Sequence, residues 1–228
     1  MTIRRALVIG AAGGVGRATV AALTAAGAHV VAAGRERDAT DPAHVAALLD
    51  EAEPDLVVVA AGARPRMAPI EDQTWDAFAA PWNVDVRIAF ETGRAALARP
   101  LRPGSTVVIV SSGAGLHGSP LSGGYSGAKR TQMFVADYLQ RSADARGLGL
   151  RFVALAPRQF IAGTRIGTAA AEAYGAANGE SAEAHMARRF PAALDPDGVA
   201  RAILAIAAGE TDRDATLLTV TAAGITAP

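Results

Sequence analysis

A tyrosine and a lysine four residues apart, Tyr125 and Lys129, are the side chains whose types and spacing first suggest chemistry. On a helix, residues at this spacing share a face, so the phenol and the ammonium can approach one reacting atom. A nearby ammonium stabilises a phenolate and favours its use as a general acid or base near neutral pH. Chance alone also places such pairs on many helices, so the interpretation depends on the surrounding sequence.

A glycine-rich turn near the N-terminus supports that interpretation. An apolar run at residues 3–9 leads into the turn, and a helical pattern follows it to residue 26. Glycines let the backbone come close to a pyrophosphate, whose charge the N-terminal end of the helix stabilises. The spacing Gly10-x-x-x-Gly14-x-Gly16 is intact, although the commoner dinucleotide motif would need a glycine at Thr19. We therefore predict a dinucleotide site at this strand, turn and helix.

Taken in order, the glycine turn, Asn83, Ser112, Tyr125 and Lys129 resemble the short-chain dehydrogenase/reductase superfamily, and the resemblance spans nearly the whole chain. It implies that the tyrosine is the general acid or base, that the lysine supports it and holds the nicotinamide ribose, and that the serine binds the substrate oxygen. It also implies that the asparagine lies in a kinked helix and holds a water of the proton relay. Pro81 gives that helix an independent reason to be irregular.

The predicted catalytic residues are therefore Asn83, Ser112, Tyr125 and Lys129. Two other serines, Ser111 and Ser122, remain alternatives for the substrate-binding hydroxyl. Ser112 is preferred because it has the position relative to Tyr125 that the resemblance calls for.

Arg35 indicates which nicotinamide cofactor binds. It follows the second predicted strand, where an arginine would pair with the extra phosphate of NADP and an acidic residue would bind the ribose of NAD. Arg37 would add to this attraction, whereas Glu36 would oppose it if it pointed inward. We predict NADP(H) as the preferred cofactor and leave NAD(H) open.

The resemblance and the turn together imply these cofactor-binding residues: Gly10, Ala12, Gly13, Gly14, Val15, Gly16, Arg35, Asp38, Ala60, Ala61, Gly62, Tyr125, Lys129, Pro157 and Thr164. Of these, Thr164 stands farther from Pro157 than the family pattern expects.

Apolar runs alternate with helical patterns along the chain, which predicts a single Rossmann-like, doubly wound α/β domain over residues 1–228. Its sheet should be mainly parallel, with six or seven strands. The predicted strands are 3–9, 29–33, 56–60, 106–110, 150–156 and 216–220, and the predicted helices are 14–26, 42–51, 73–98, 124–145 and 196–208.

Three segments are expected to be irregular. Residues 34–41 leave no room for the helix that usually follows the second strand, so we predict an abbreviated third strand and a crossover helix that begins at Pro42. The second strand should then lie at or near the sheet border. Residues 158–195 are predicted to form a lid over the substrate, and residues 222–228 to trail after the last strand.

Composition limits the classes of partner. The 228 residues carry 22 basic and 22 acidic side chains, which argues against a nucleic-acid surface. No cysteine is present, and the four histidines are scattered, so the sequence predicts no metal site. No apolar run approaches the roughly 20 residues of a membrane span, and a strand that starts at residue 3 leaves no room for a signal peptide. We expect a cytoplasmic protein.

These observations predict an NADP(H)-preferring carbonyl reductase or alcohol dehydrogenase that acts on a small molecule. The alternatives are an epimerase or dehydratase with a bound cofactor, and a regulatory protein that senses NADP without turnover. The four catalytic side chains favour an enzyme, because a pure binder needs none of them. The family also commonly forms dimers or tetramers through the helices predicted at 73–98 and 124–145, so a homodimer or homotetramer is expected.

Overall fold

The apolar runs form a sheet that is parallel except at one edge. The computed structural model describes residues 3–228, and within them seven strands pair: β1 (Arg5–Ile9), β2 (His29–Ala33), β3 (Leu56–Val59), β4 (Thr106–Val110), β5 (Arg151–Pro157), β6 (Leu217–Thr221) and β7 (Gly224–Thr226). Their order is β2-β1-β3-β4-β5-β6-β7, and only β6 and β7 pair antiparallel. The predicted Rossmann-like fold, its mainly parallel sheet and its strand number are confirmed.

Helices connect the parallel strands: α1 (Gly14–Ala25), α2 (Pro42–Ala52), α3 (Trp75–Pro81), α4 (Arg87–Ala98), α5 (Ala114–His117), α6 (Gly123–Ala145), α7 (Arg165–Ala177), α8 (Ala182–Arg189) and α9 (Pro196–Ala208). A five-residue π-helical segment, Trp82–Val86, joins α3 to α4. The predicted helix 73–98 is thus broken at Pro81, which has no N–H to donate within a helix.

The core lies on both faces of the sheet. Successive residues of a strand point to opposite faces, and in β1 the side chains of Ala6 and Val8 pack with α1 and α9. Those of Leu7 and Ile9 pack with α2, α4 and α6 on the other face. This two-sided burial explains why the central strands read as continuous apolar runs. No helix within residues 3–228 is long and apolar enough to cross a bilayer.

The region after β2 is as short as the sequence suggests. β2 is the border strand, and α2 begins at Pro42 with the Asp41 side chain accepting a hydrogen bond from Ala43 N. Residues 34–41 contain no strand, so the abbreviated third strand expected there does not form. All eight of these residues are needed to connect the end of β2 to the start of α2, so they form turns instead of a strand.

A second correction concerns the C-terminal residues. Residues 222–228 were expected to trail after the last strand, but Gly224–Thr226 pairs antiparallel with β6 as β7. The turn is closed by Thr221 Oγ1, which accepts a hydrogen bond from Ala223 N at 3.2 Å. A three-residue strand is too short for an alternation of apolar and polar residues to be recognised in the sequence.

Candidate active site

A cavity of 750 Å³ opens where the strands β1, β3, β4 and β5 end and the lid begins. Ligands of open α/β sheets bind at this carboxyl edge. All of the predicted catalytic residues line it, as do all of the predicted cofactor residues except Gly16. The fold therefore gathers into one cavity residues that are spread over more than half of the chain.

The glycine turn is held against the sheet by close backbone contacts. Gly10 has a φ of +90°, and its N–H donates to Ala33 O at 2.8 Å. A Cβ at Gly10 would overlap the backbone of Ala60 and Ala61, and a Cβ at Gly16 would overlap the carbonyl of Gly10. Gly16 is thus buried beneath the turn and keeps it closed, which is why it does not line the cavity.

The first turn of α1 has the character of an anion site. No side chain caps this helix at Gly13, so its first N–H groups are left for a ligand. The positive end of the helix dipole points the same way. These N–H groups and the helix dipole suit the pyrophosphate of a dinucleotide. An added Cβ at Gly10 or Gly16 would force this turn open.

Beyond the turn, Arg35 and Arg37 have different surroundings. Both line the cavity, but Arg37 forms an ion pair with Glu51 of α2, whereas Arg35 forms no ion pair with any residue between 3 and 228. The Glu36 carboxylate folds back and accepts a hydrogen bond from Gly34 N at 2.8 Å. Hydrogen bonds from the backbone N–H groups of Glu36 and Gly34 hold the pKa of the Glu36 carboxyl below its usual value. Among the described residues, Arg35 is therefore the cation at this end of the cavity that lacks an ion-pair partner.

Asp38 is fixed on the same loop. Its Oδ1 accepts hydrogen bonds from Thr40 Oγ1 at 2.7 Å and Thr40 N at 2.9 Å. These two bonds, with the hydroxyl contributing most, hold the pKa of Asp38 below its usual value. Asp38, one of the predicted cofactor-binding residues, therefore has its carboxylate oriented by Thr40.

Three serines near Tyr125 can be told apart by their hydrogen bonds. The buried Ser111 Oγ donates to Lys129 O at 2.8 Å, and Ser122 Oγ shares a hydrogen bond of 2.6 Å with Ser119 Oγ. Ser112 Oγ accepts from Ala114 N at 3.2 Å, which leaves its own proton to donate. Of the three, Ser112 best suits the binding of a substrate oxygen.

Tyr125 stands half-buried in the cavity, and its hydroxyl makes no hydrogen bond with any residue that the structure describes. Lys129 Nζ lies 5.3 Å from the centroid of the tyrosine ring. The i, i+4 spacing on α6 does therefore bring the two groups together. A phenol with no protein partner, next to an ammonium, is available to a substrate.

Lys129 is almost fully buried, and protein acceptors surround its ammonium group. Nζ lies 3.0 Å from Asp85 Oδ2, 3.0 Å from Gln132 Oε1 and 3.2 Å from Val110 O. Burial by itself would lower the pKa of Lys129, but the attraction of the Asp85 carboxylate and of Tyr125 outweighs it, and the net pKa is raised. The lysine is thus held in its charged form.

Asn83 lies in the irregular part of the helix, as the sequence suggested. It lies in the π-helical segment and lines the cavity, but its side chain is exposed and forms no hydrogen bond with residues 3–228. Asp85, two residues later, is the side chain that reaches Lys129. The prediction that Asn83 lies in an irregular helix is correct, whereas its part in a proton relay stays a prediction.

Sequence reasoning missed Asp85 and Gln132. The sequence gives little indication of a role for Gln132, because a glutamine on a helix is ordinarily solvated. In the structure it is fully buried. The signal for Asp85 was its place just after Pro81, where a broken helix changes which residues face inward.

Residues 158–195, the predicted lid, contain the two helices α7 and α8. Phe160 stacks on Tyr174 at 5.8 Å between ring centroids, and Phe190 meets Phe160 edge-on at 5.2 Å. The Tyr174 hydroxyl shares a hydrogen bond of 2.5 Å with Ser119 Oγ across the cavity. The wall that faces the catalytic groups is therefore aromatic, with polar atoms at its edge.

Thr164 reaches the glycine turn despite the longer loop before it. Its side chain packs against Gly14, where an added Cβ would approach Thr164 Cγ2 to 2.8 Å. Its Oγ1 also caps α7 by accepting from Gly167 N at 3.0 Å. Thr164 thus lies beside the glycine turn, and its contact with a cofactor stays a prediction.

Comparison with known proteins agrees with this architecture. Residues 4–98 match the family model described as the RmlD substrate binding domain, whereas no curated protein matches the sequence. A sorbitol-6-phosphate 2-dehydrogenase from Erwinia amylovora superposes with a TM-score of 0.80 at 22% identity, over 95% of this chain and 98% of that one.

Two further solved structures are similar. A short chain dehydrogenase from Mycobacterium avium gives a TM-score of 0.71 at 23% identity, over 100% of this chain and 86% of that one. A short chain dehydrogenase from Burkholderia cenocepacia, solved in complex with NADP, gives 0.69 at 20% identity, over 96% of this chain and 89% of that one. The chain has the fold of the short-chain dehydrogenases, and the predicted resemblance is confirmed at that level.

Proposed function

We propose that this protein is an oxidoreductase that interconverts a carbonyl compound and its alcohol with a nicotinamide cofactor, and that it prefers NADP(H). The observation that carries the proposal is the free hydroxyl of Tyr125, which lies beside Lys129 and shares a cavity with Ser112 and the glycine turn. These are the parts that proton transfer to a bound carbonyl requires.

Each side chain has a distinct part in the reducing direction. The Ser112 hydroxyl donates a hydrogen bond to the substrate oxygen and orients it, while the Tyr125 hydroxyl gives that oxygen its proton. The ammonium of Lys129 stabilises the phenolate that remains. A bound nicotinamide supplies the hydride chemistry. In the oxidising direction the same phenolate removes the proton.

The lid contributes by keeping water away from the reacting oxygen. Its aromatic wall of Phe160, Tyr174 and Phe190 lines the cavity. Exclusion of water strengthens the hydrogen bonds and charge interactions inside the site. The wall favours substrates with an apolar body next to the carbonyl.

The test of this function is a screen of carbonyl compounds with the purified protein and NADPH, followed through the absorbance of the reduced nicotinamide. Steady consumption of NADPH that depends on the carbonyl substrate is expected. Cofactor that binds but is never consumed, across aliphatic, aromatic and sugar carbonyls, would instead favour the regulatory alternative. A tightly retained cofactor with isomerised or dehydrated product would favour the epimerase or dehydratase alternative.

Replacing Arg35 by glutamine is expected to weaken NADPH binding by about 10- to 100-fold, because a charge-assisted contact with the ribose phosphate is lost. NADH has no such phosphate, so its dissociation constant should change by less than about threefold. Fluorescence titration with both cofactors measures the two constants.

The matched control is Arg37→Gln. This side chain already pairs with Glu51, so its loss should change NADPH affinity much less than the loss of Arg35. Equal losses of NADH and NADPH affinity in Arg35→Gln would show that the arginine does not bind the ribose phosphate of NADPH.

Self-association is expected through α4 and α6, which pack against each other in the fold. These helices expose Phe90, Phe134 and Tyr138, and the last two rings stack at 5.9 Å. Large aromatic side chains on a surface indicate an interaction site, and most soluble oligomers are built from identical chains. We propose a homodimer or homotetramer.

Replacing Phe134 and Tyr138 together by serine is expected to lower the mass measured by light scattering, because the stacked pair no longer contributes to a contact between chains. Trp75→Ser, which removes another exposed ring, is the control and should leave the mass unchanged. A wild-type protein that is already monomeric at high concentration would contradict the proposal.

A further inference from the structure

A closed ring of buried polar contacts surrounds the ammonium of Lys129. Asp85 Oδ2 contacts Nζ at 3.0 Å, Nζ donates to Gln132 Oε1 at 3.0 Å, and Gln132 Nε2 donates back to Asp85 O at 2.9 Å. Val110 O takes a further hydrogen bond from Nζ at 3.2 Å. Two N–H bonds of the ammonium are thus directed at Gln132 Oε1 and Val110 O, while Asp85 Oδ2 lies at ion-pair distance from Nζ.

Asp85 is held as firmly as the lysine. Its side chain is 0% exposed, and its other oxygen, Oδ1, accepts a hydrogen bond from Ala63 N at 2.7 Å. A Cβ at Gly62 would approach Asp85 Oδ2 to 2.8 Å, so the glycine leaves the space that the carboxylate fills. The π-helical segment turns this residue toward α6. The carboxylate is thus buried, hydrogen-bonded through Oδ1 and paired with the ammonium through Oδ2.

The carboxylate changes what Lys129 does to Tyr125. An unpaired buried ammonium next to a phenol would stabilise the phenolate strongly, because the interaction is poorly screened. A carboxylate 3.0 Å from the same ammonium offsets part of the effect of that charge on the phenol. It also keeps the ammonium protonated against the cost of burial.

We propose that Asp85 is a positioning residue that fixes Lys129 and, by offsetting its charge, sets the pH range over which Tyr125 exchanges its proton. This inference rests on the proposed function, in which Tyr125 is the general acid or base. It assigns the control of that group to a residue that does not touch the substrate.

Few other charges face this group within the described part of the chain. The π-helical segment contributes Asp85, and α6 contributes Tyr125 itself. Strand β4 contributes only the Val110 carbonyl and the hydroxyls of its following serines. His117 of α5 lines the same cavity, where its ring lies 3.4 Å from the Arg158 guanidinium.

The test compares Asp85→Asn with wild type in the oxidation of an alcohol substrate over a range of pH. Removing the carboxylate leaves the ammonium uncompensated, so the phenolate forms at lower pH and the rising limb should move down by about one pH unit. The upper limit, where Lys129 loses its proton, should move down as well, since burial is no longer offset. Asp137→Asn is the control, because Asp137 lies on the outer face of α6 and pairs with Arg141.

A second readout needs no turnover. The ultraviolet absorbance of phenolate is titrated in the wild type and in Tyr125→Phe, and the difference reports Tyr125 alone. The same difference in the Asp85→Asn background should have its midpoint about one pH unit lower. An unchanged or higher midpoint in folded Asp85→Asn protein overturns the proposal, whether or not a substrate has been found.

Gln132→Glu should shift the midpoint of phenolate formation in the opposite direction from Asp85→Asn. It adds a carboxylate at the atom that already accepts from Nζ, so the phenolate midpoint should rise. This variant decides the question if Asp85→Asn does not fold, and a midpoint that stays or falls is contrary to the proposal. Absence of turnover in the wild type would count against the proposed function alone, because the titration still tests Asp85.

Discussion

The Tyr125→Phe protein is expected to retain its NADPH affinity within about threefold while its turnover number falls by about 10²- to 10⁴-fold, the range that a positioned acid or base contributes. The change removes a single oxygen atom that makes no hydrogen bond with the described residues of the protein. The ring and its contact with Lys129 remain. The fold should therefore be unaffected, and the loss should lie in the chemical step.

Single-turnover and steady-state rates with NADPH and the best carbonyl substrate measure this effect. Tyr138→Phe is the matched control, because it makes the same change on the same helix at an exposed ring. It should leave kcat unchanged. If Tyr125→Phe kept its full rate, the proton donor would be another group, and Ser112 or a water would have to replace it.

A Gly16→Ala protein is expected to bind NADPH at least about tenfold more weakly and to be less stable by about 1–3 kcal/mol, the usual cost of overpacking. The added methyl group would overlap the carbonyl of Gly10, so the turn must open or α1 must move away from the sheet. Either movement displaces the N–H groups proposed to hold the pyrophosphate.

The expected direction of the stability change separates the effect of the close contact from that of helix propensity. Within a helix, alanine is ordinarily more stable than glycine by up to about 1 kcal/mol, so a loss of stability must come from the close contact. Thermal unfolding and cofactor titration measure the two effects. Gly123→Ala is the control, since an added Cβ there meets only Phe78 at 3.5 Å. A Gly16→Ala protein with undiminished stability and affinity would show that the turn is not tightly constrained.

Several features could be predicted because they depend on neighbouring residues. The alternation of apolar runs and helical patterns gives a parallel sheet with helices on both faces. The start of α2 follows from Asp41 and Pro42, a side-chain cap and a residue suited to the first helical turn. The short connection after β2 places that strand at the border by length alone.

Other features depended on contacts between distant segments. The pairing of β7 with β6 involves so few residues that no periodic pattern reveals it. Asn83 and Asp85 are close neighbours in the sequence, and no spacing rule separates them. The π-helical segment changes the number of residues per turn, so counting across Pro81 does not identify the residue that faces Lys129.

The succession of strands and helices along the chain, the glycine turn and the shared face of Tyr125 and Lys129 could be predicted from the sequence, because each follows from spacing within one strand, turn or helix. Only the tertiary structure decided that Asp85 and Gln132 meet the lysine and that Ser112 keeps a free hydroxyl proton. The physical reason is burial. A charge taken out of water must find its partners wherever the packing of separate elements leaves them.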